Sequence, residues 1–465
     1  MTDVLFLIGR RLSAWAEKKN LRLSGLRGRS ALDLEVSTPC ILYEMNSKAT
    51  RCDFISYHQL HMRRREPSQD DPQCNILMLE RPEEMLQILE LYSGIGGMQT
   101  AARESGLPFK VVASYEINPV AVDVYCSNFP GTSKPRNILG LTIEELTRLS
   151  PDIIMMSPPC QPFTRQGLKR DAEDARSSSF LHLVDLLRRV PHPPKMILLE
   201  NVAGYETSQT REHLVDMLLH RGYTWQEFLL SPTQFGVPNS RLRYYLLARL
   251  SMESFPFTTS QEVLTDLPFC MCLLSEASSE SHSKVCCQCS KSIKPSLHSL
   301  LQKFHSYHQD NLKSNSPSVP QSLSHYLIDE VDLKDFLLPD KVLKKYHMLL
   351  DIVNHQSQRS CCFTKGYAHY VEGTGSVVQH NSQVDMSEIY SKVQALDDDD
   401  QLKVELLHQL ELRYFTPEEV ARLMCFPSWF TFPSTTTKKQ KYKLLGNSIN
   451  VLVVTCLLLV LVENQ

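Results

Sequence analysis

The chain has 465 residues, 42% of them hydrophobic, enough for one large domain or two to three ordinary ones with a sizeable core. A net charge of −3 and a pI near 6.6 exclude a global basic field, so an acidic polymer would have to be held by a local patch. The 14 cysteines keep no framework spacing and follow no secretory leader, so mostly free thiols in a reducing compartment are expected, cytoplasmic and also nuclear.

In chain order, residues 1–84 lack periodicity and read as a poorly ordered extension. Seven basic residues between Arg10 and Arg29 face only Asp3 and Glu17 in its first thirty positions, a polar-basic tail rather than a targeting peptide. Residues 85–265 alternate short apolar runs with amphipathic ones. Strands are expected at Ile88–Tyr92, Val111–Tyr115, Asp152–Ser157, Met196–Leu199 and Tyr244–Ala248, with helices such as Phe180–Arg189 and Arg211–Arg221 between them. That pattern predicts an α/β fold, a parallel sheet with helices on both faces.

A second, smaller region is expected over 266–432, with a Ser-, Cys-, His- and Lys-rich insertion at about 270–325. Its cysteines, Cys270, Cys272, Cys286, Cys287 and Cys289, keep no zinc spacing, so no metal is expected. The acidic run Asp397–Asp400 reads as a solvated loop. Residues 433–465 return to the first domain. Their apolar run Ile449–Val462 is shorter than the roughly 20 residues of a membrane span and reads as a buried terminal helix.

Four motifs carry chemistry. Tyr92-Ser93-Gly94-Ile95-Gly96-Gly97 follows a strand and opens a helix, and the next strand ends at Glu116. Glycines let a ligand approach backbone, and an acid at that distance can accept from both hydroxyls of a ribose. Together they favour an adenosine-bearing cofactor over a purely structural turn. Ser157-Pro158-Pro159-Cys160 ends another strand, on the rim where parallel sheets bind ligands; Cys160 is a nucleophile candidate, against a buried inert thiol. Glu200-Asn201-Val202 closes an apolar strand with a carboxylate that partial desolvation would load with a proton. Arg241 and Arg243 stand two apart at the entry of a strand, suited to a phosphate or a base carbonyl.

Taken in order, with Gly446-Asn447-Ser448 near the end, these motifs resemble the C5-cytosine methyltransferases. Cys362-Phe363-Thr364-Lys365-Gly366-Tyr367 and Glu372-Gly373-Thr374-Gly375-Ser376 narrow the resemblance to the tRNA-directed members. It covers about Ile88 to Val462 and implies a Rossmann-like sheet with a smaller target-recognition region. The cofactor implied is S-adenosylmethionine, resting on Tyr92, Ser93, Gly94, Gly96, Gly97, Glu116, Ile117, Ile138, Leu139, Pro159, Asn447 and Ser448. The chemistry implied is attack of the Cys160 thiolate on cytosine C6, with Glu200 on N3 and the amine, and Arg241 on the base carbonyl with Arg243 close by. Asn201, Cys362, Phe363, Thr364, Lys365 and Tyr367 would meet the substrate. The implied partner is tRNA, chiefly tRNA-aspartate at cytosine 38, with DNA a weaker one, for a monomer or weak dimer. Leu139 departs from the pattern, because the family usually has an acidic residue there facing the adenine.

Overall fold

Apolar runs that alternate with amphipathic ones become strands and helices of one layered sheet. The computed structural model describes residues 85–159, 177–250, 255, 257–268, 320–328, 332–396 and 401–463. The strands are β1 (Leu86–Leu91), β2 (Phe109–Glu116), β3 (Ser133–Pro135), β4 (Ile153–Met156), β5 (Met196–Val202), β6 (Tyr223–Leu230), β7 (Arg243–Leu250) and β8 (Val263–Leu264), in the spatial order β3-β2-β1-β4-β5-β7-β6-β8. From β3 to β5 neighbours run parallel.

The sheet is not wholly parallel as the alternation suggested. β7 lies antiparallel to both β5 and β6. The connection from β6 to β7 holds only a short 3₁₀ turn, Pro232–Phe235, with no crossover helix, so the chain returns alongside itself in the opposite sense. β6 itself escapes the apolar pattern because Gln226 and Glu227 are buried in it. Glu227 is tolerated there through the Arg211 guanidinium and the Tyr244 hydroxyl, the latter donating at 2.6 Å.

Both faces of the central strands are covered, which explains the apolar runs of β4 and of the first four residues of β5. Ile88, Ile153, Met155, Met196 and Leu198 point to one side, with the helices Gly97–Glu104 and Val451–Val462. Leu89, Leu91, Ile154, Met156, Ile197 and Leu199 point to the other, with Ser178–Arg189 and Gln209–Arg221. The stretch Lys438–Val462 is long and apolar enough to cross a membrane by length and composition alone. Here it is broken at Asn447–Asn450 into two helices, and every residue from Val451 to Leu461 is buried, as the sequence predicted. Asn450 caps the second helix by accepting from the Val453 N–H.

A second sheet is small: β9 (Ile352–Val353), β10 (Val377–Gln379) and β11 (Leu412–Tyr414). Behind it, fully buried Arg413 and Glu419 form a two-pronged pair at 2.8 and 2.9 Å, and Glu419 also accepts from the Thr416 and Ile328 N–H groups. Each lone pair of the Glu419 carboxylate has a donor, while Arg413 Nε has no acceptor for its proton among the described residues.

One buried carboxyl has no such arrangement. Glu90 in β1 is fully enclosed, and burial pushes its carboxyl up to about 8 despite the Tyr125 hydroxyl 2.7 Å from Oε2. The same hydroxyl also meets Gln99 Oε1, and Glu90 Oε1 has no partner. One hydroxyl proton cannot serve two acceptors, so a proton carried by Glu90 completes the chain: Glu90 to Tyr125, Tyr125 to Gln99. An unfolded glutamate loses that proton above about 4.5, while the folded one keeps it to about 8. Stability is therefore expected to fall as pH rises through that window, by roughly 1.4 kcal/mol per unit at most. Glu90→Gln is expected to remove this slope: in urea unfolding from pH 5 to pH 8, its stability relative to the parent should climb. A constant difference across that range would contradict it.

Candidate active site

The rim formed by the carboxyl ends of β1, β2, β4 and β5 gathers the motifs. After β1 the chain turns through Tyr92 (φ 56°), Gly94 (φ 53°) and Gly96 (φ 90°), backbone that favours glycine. Gly96 is also fixed by packing, since a Cβ there would stand 2.9 Å from the Phe129 ring and 3.0 Å from Tyr125. At Gly97 a Cβ would meet Ile449 at 2.8 Å. Over Gly94 the space is open to 4 Å. Glu116 accepts from the Gly94 N–H at 2.9 Å through one oxygen and from the Asn118 N–H at 2.8 Å through the other. Each oxygen keeps a lone pair, so the carboxylate is oriented and still able to receive two hydroxyls. An open glycine turn beside a pre-aimed carboxylate fits the ribose and chain of an adenosine-type cofactor.

Other expected cofactor residues divide. Ile117 and Leu139 are exposed apolar side chains at the ends of β2 and of the turn Ile138–Gly140. Ile138 is buried in the core below that turn, which leaves its backbone to face a ligand. Tyr92 donates from its hydroxyl to Ser179 Oγ at 3.1 Å, so its ring faces the helix and its backbone the loop. Ser93 is buried and accepts from Ser114 Oγ at 2.8 Å. Asn447 is exposed, and Ser448 Oγ would lie 3.2 Å from a Cβ at Gly97, so the late loop does reach the glycine turn.

β4 lies between β1 and β5, with Leu91 opposite Met156 and Met156 opposite Leu199. The Pro158-Pro159 segment and Glu200 thus leave adjacent strand ends. Ser157 Oγ donates to the Tyr92 carbonyl at 3.1 Å, tying the proline segment to the glycine turn. Cys160 lies outside the described residues, as do the cysteine-rich insertion and Asp397–Asp400. Asn201 corrects an expected substrate contact. It is buried; its amide donates to the Pro158 carbonyl at 3.4 Å, and its Oδ1 accepts from the Val202 N–H. It positions the proline segment.

Glu200 is 8% exposed. Burial raises its carboxyl above the usual range, opposed by the charges of Arg243 and Arg241. Arg243 Nε stands 3.4 Å from Glu200 Oε1. A desolvated carboxyl under a guanidinium can hold or release a proton with little reorganisation.

The two arginines differ in their partners. Arg241, 3% exposed, donates to the Phe363 carbonyl at 3.0 Å, the Gly446 carbonyl at 3.1 Å and the Ser448 carbonyl, and meets Cys362 Sγ at 3.4 Å. Both of its terminal nitrogens are engaged by the chain itself, so Arg241 holds these backbone segments together. Arg243 faces the carboxylate and reaches Cys362 Sγ at 3.7 Å. Burial raises the Cys362 thiol, but the two guanidiniums outweigh it and the net shift is downward. Phe363 and Tyr367 are further corrections, for both are buried core aromatics. The Tyr367 hydroxyl donates to the Ser376 carbonyl at 2.7 Å and accepts from the Phe415 N–H at 2.9 Å. Thr364 is half-buried and Lys365 exposed.

The role of Gly446 is not evident from the sequence. A Cβ there would overlap the backbone of Thr364 and Lys365, so the late loop and the Cys-Phe-Thr segment touch backbone to backbone. Residues from distant stretches of chain thereby close on one rim.

The model of C-5 cytosine-specific DNA methylases matches residues 86–462. The chain belongs to that family. It is 46% identical over 395 residues to a Bos taurus protein named tRNA (cytosine(38)-C(5))-methyltransferase, covering 82% of this chain and all of the relative. A Homo sapiens protein of the same name is 45% identical over 393 residues, with 82% and 100% covered. A solved Spodoptera frugiperda structure, 40% identical, superposes with a TM-score of 0.66 over 81% of this chain and 100% of that one. The sheet described above is the Rossmann-like methyltransferase sheet of this family.

The division between the arginines is testable. Arg241→Ala would strand three backbone carbonyls and is expected to cost at least about 3 kcal/mol in chemical denaturation. Arg243→Ala leaves the buried Glu200 carboxyl to take up a proton in place of its partner, so it should cost less stability than Arg241→Ala and act chiefly on turnover. Equal losses of stability would contradict the assignment.

Proposed function

We propose that the chain transfers a methyl group from S-adenosylmethionine to C5 of cytosine in tRNA, the target being cytosine 38 in the anticodon loop of tRNA-aspartate. The observation that carries the chemistry is the meeting, on one rim, of the glycine turn with its Glu116, the Pro158-Pro159 strand end, and the Glu200–Arg243 pair. The names of the relatives that match along their whole length support cytosine 38 of a tRNA as the target.

S-adenosylmethionine, when bound, supplies the electrophilic methyl carbon that an activated C5 takes up. Glu116 and the Gly94–Gly97 turn would hold its ribose and chain, with Asn447 and Ser448 alongside. Ile117 and Leu139 give the adenine an apolar seat without a carboxylate. Cytosine C5 is a poor nucleophile. The Cys160 thiolate adds to C6, and electron density moves through the ring to C5 and N3. Glu200 meets N3 with its proton and the exocyclic amine with its other oxygen, so the charge is neutralised as it forms. Arg243, whose Nη1 donates to the Leu242 carbonyl at 2.7 Å and whose Nη2 meets Cys362 Sγ, would exchange one of these contacts for the base carbonyl, while Arg241 keeps the surrounding backbone fixed. Loss of the C5 proton then re-forms the ring double bond and expels the cysteine sulfur. The base must leave its stack, which costs least in an unpaired loop. Residues 266–432 serve as the region that reads the RNA.

The test is incubation of the purified chain with labelled methyl donor and either tRNA or duplex DNA, followed by mapping of the modified base. Label is expected in tRNA at one anticodon-loop cytosine. Glu200→Gln should lose roughly 10²–10³-fold in turnover, and Cys160→Ala should lose all detectable transfer. Label confined to DNA, or full activity of Cys160→Ala, would overturn the proposal.

A further inference from the structure

The turn that follows Cys362 carries side chains that packing does not explain. Tyr370 is 65% exposed, and His369 stands against its ring, centroids 4.6 Å apart and tilted by 63°. Lys365, at the start of the same turn, is exposed as well. The backbone beneath them is braced. The Gly366 carbonyl accepts from the N–H groups of His369 at 3.0 Å and Tyr370 at 2.9 Å, and Thr374 Oγ1 donates to the Tyr370 carbonyl at 2.7 Å. The ring lies close over Gly366, where a Cβ would stand 3.1 Å from it. Ala368 is held at φ 59°, a left-handed conformation that non-glycine residues keep only where surroundings impose it. The base of the turn is anchored through the Tyr367 hydroxyl and through the contact of Thr364 and Lys365 with Gly446. An exposed aromatic ring therefore sits on a stiff mount, eight residues from a thiol that touches the Arg243 beside Glu200.

We infer that Tyr370, flanked by His369 and Lys365, is a stacking platform for an unpaired nucleotide adjacent to the target cytosine. This rests on the reading that the substrate is RNA. The chemistry selects the occupant. An exposed aromatic face attracts the face of any base, and a neighbouring ammonium suits the phosphate that follows. A base inside a duplex has both faces covered, so only an unpaired one can take the place. Glu372 is the single carboxylate between Lys365 and Ser376, which leaves the turn without net negative charge to repel a phosphate. A platform that holds the neighbour would steady the strand while the cytosine is drawn out.

The experiment uses the full chain and an anticodon stem-loop RNA, with 2-aminopurine replacing in turn the base on each side of the target cytosine. Tyr370→Ala is expected to raise Kd and KM about tenfold, within the range of one base–aromatic stack. Its kcat should stay within about twofold, and 2-aminopurine quenching should be relieved on one flank. Tyr370→Phe should match the parent in all three, and both variants should keep the parent's melting temperature and cofactor affinity. Parent-like RNA affinity and quenching in Tyr370→Ala would overturn the inference while methyl transfer to RNA by the parent left the proposed function standing. So would equal losses in Tyr370→Phe and Tyr370→Ala, which would point to the hydroxyl. A parent that methylates only DNA would overturn both.

Discussion

The structure of the site depends on one buried guanidinium. Arg241 enters from the loop before β7 and grips the carbonyls of Phe363, Gly446 and Ser448, positions 122, 205 and 207 residues further along the chain. A planar fork with several donors can join separate backbones in fixed directions, which a lysine cannot do. Its two terminal nitrogens exchange water for backbone carbonyls, which must be satisfied wherever they are enclosed, and its Nε has no partner among the described residues. Gly446 completes the junction by removing the one side chain that would hold the two backbones apart.

The chemistry follows from that junction. Once Arg241 is committed to structure, Arg243 is left to face Glu200 and the thiol of Cys362. Two adjacent positive groups in a desolvated place lower that thiol and oppose the rise that burial imposes on Glu200. Burial favours the protonated carboxyl and the two guanidiniums the ionised one. Across the rim, Glu116 is aimed by two backbone N–H groups before any ligand arrives. Pre-aimed groups on rigid strand ends reduce the reorganisation that binding and reaction would otherwise require.

Much of this was legible in the sequence, for identifiable reasons. Strands buried on both faces show as plain apolar runs, so β1, β4 and β5 were placed to within a few residues. The carboxylates and glycines at their ends were found because a strand end is where ligands bind in such sheets. β6 was missed because Gln226 and Glu227 break its pattern, and their partners Arg211 and Tyr244 are distant in the chain. The inversion of β7 was missed for the same reason. Phe363, Tyr367 and Asn201 were read as substrate contacts because a motif names residues without saying which way they point; two are core aromatics and one holds the proline segment. The division of labour between Arg241 and Arg243 depends on contacts more than a hundred residues away, which no local pattern carries.

Two thiols are candidates for the proposed attack, Cys160 by its sequence motif and Cys362 by its contact with Arg243. The most direct measurement is a trap: the chain, S-adenosylmethionine and an RNA with 5-fluorocytosine at the target, whose C–F bond cannot release a proton. A protein–RNA adduct stable to denaturation should form and map to the peptide holding Cys160. An adduct on Cys362, or no adduct from a chain that methylates the unmodified RNA, would contradict the mechanism.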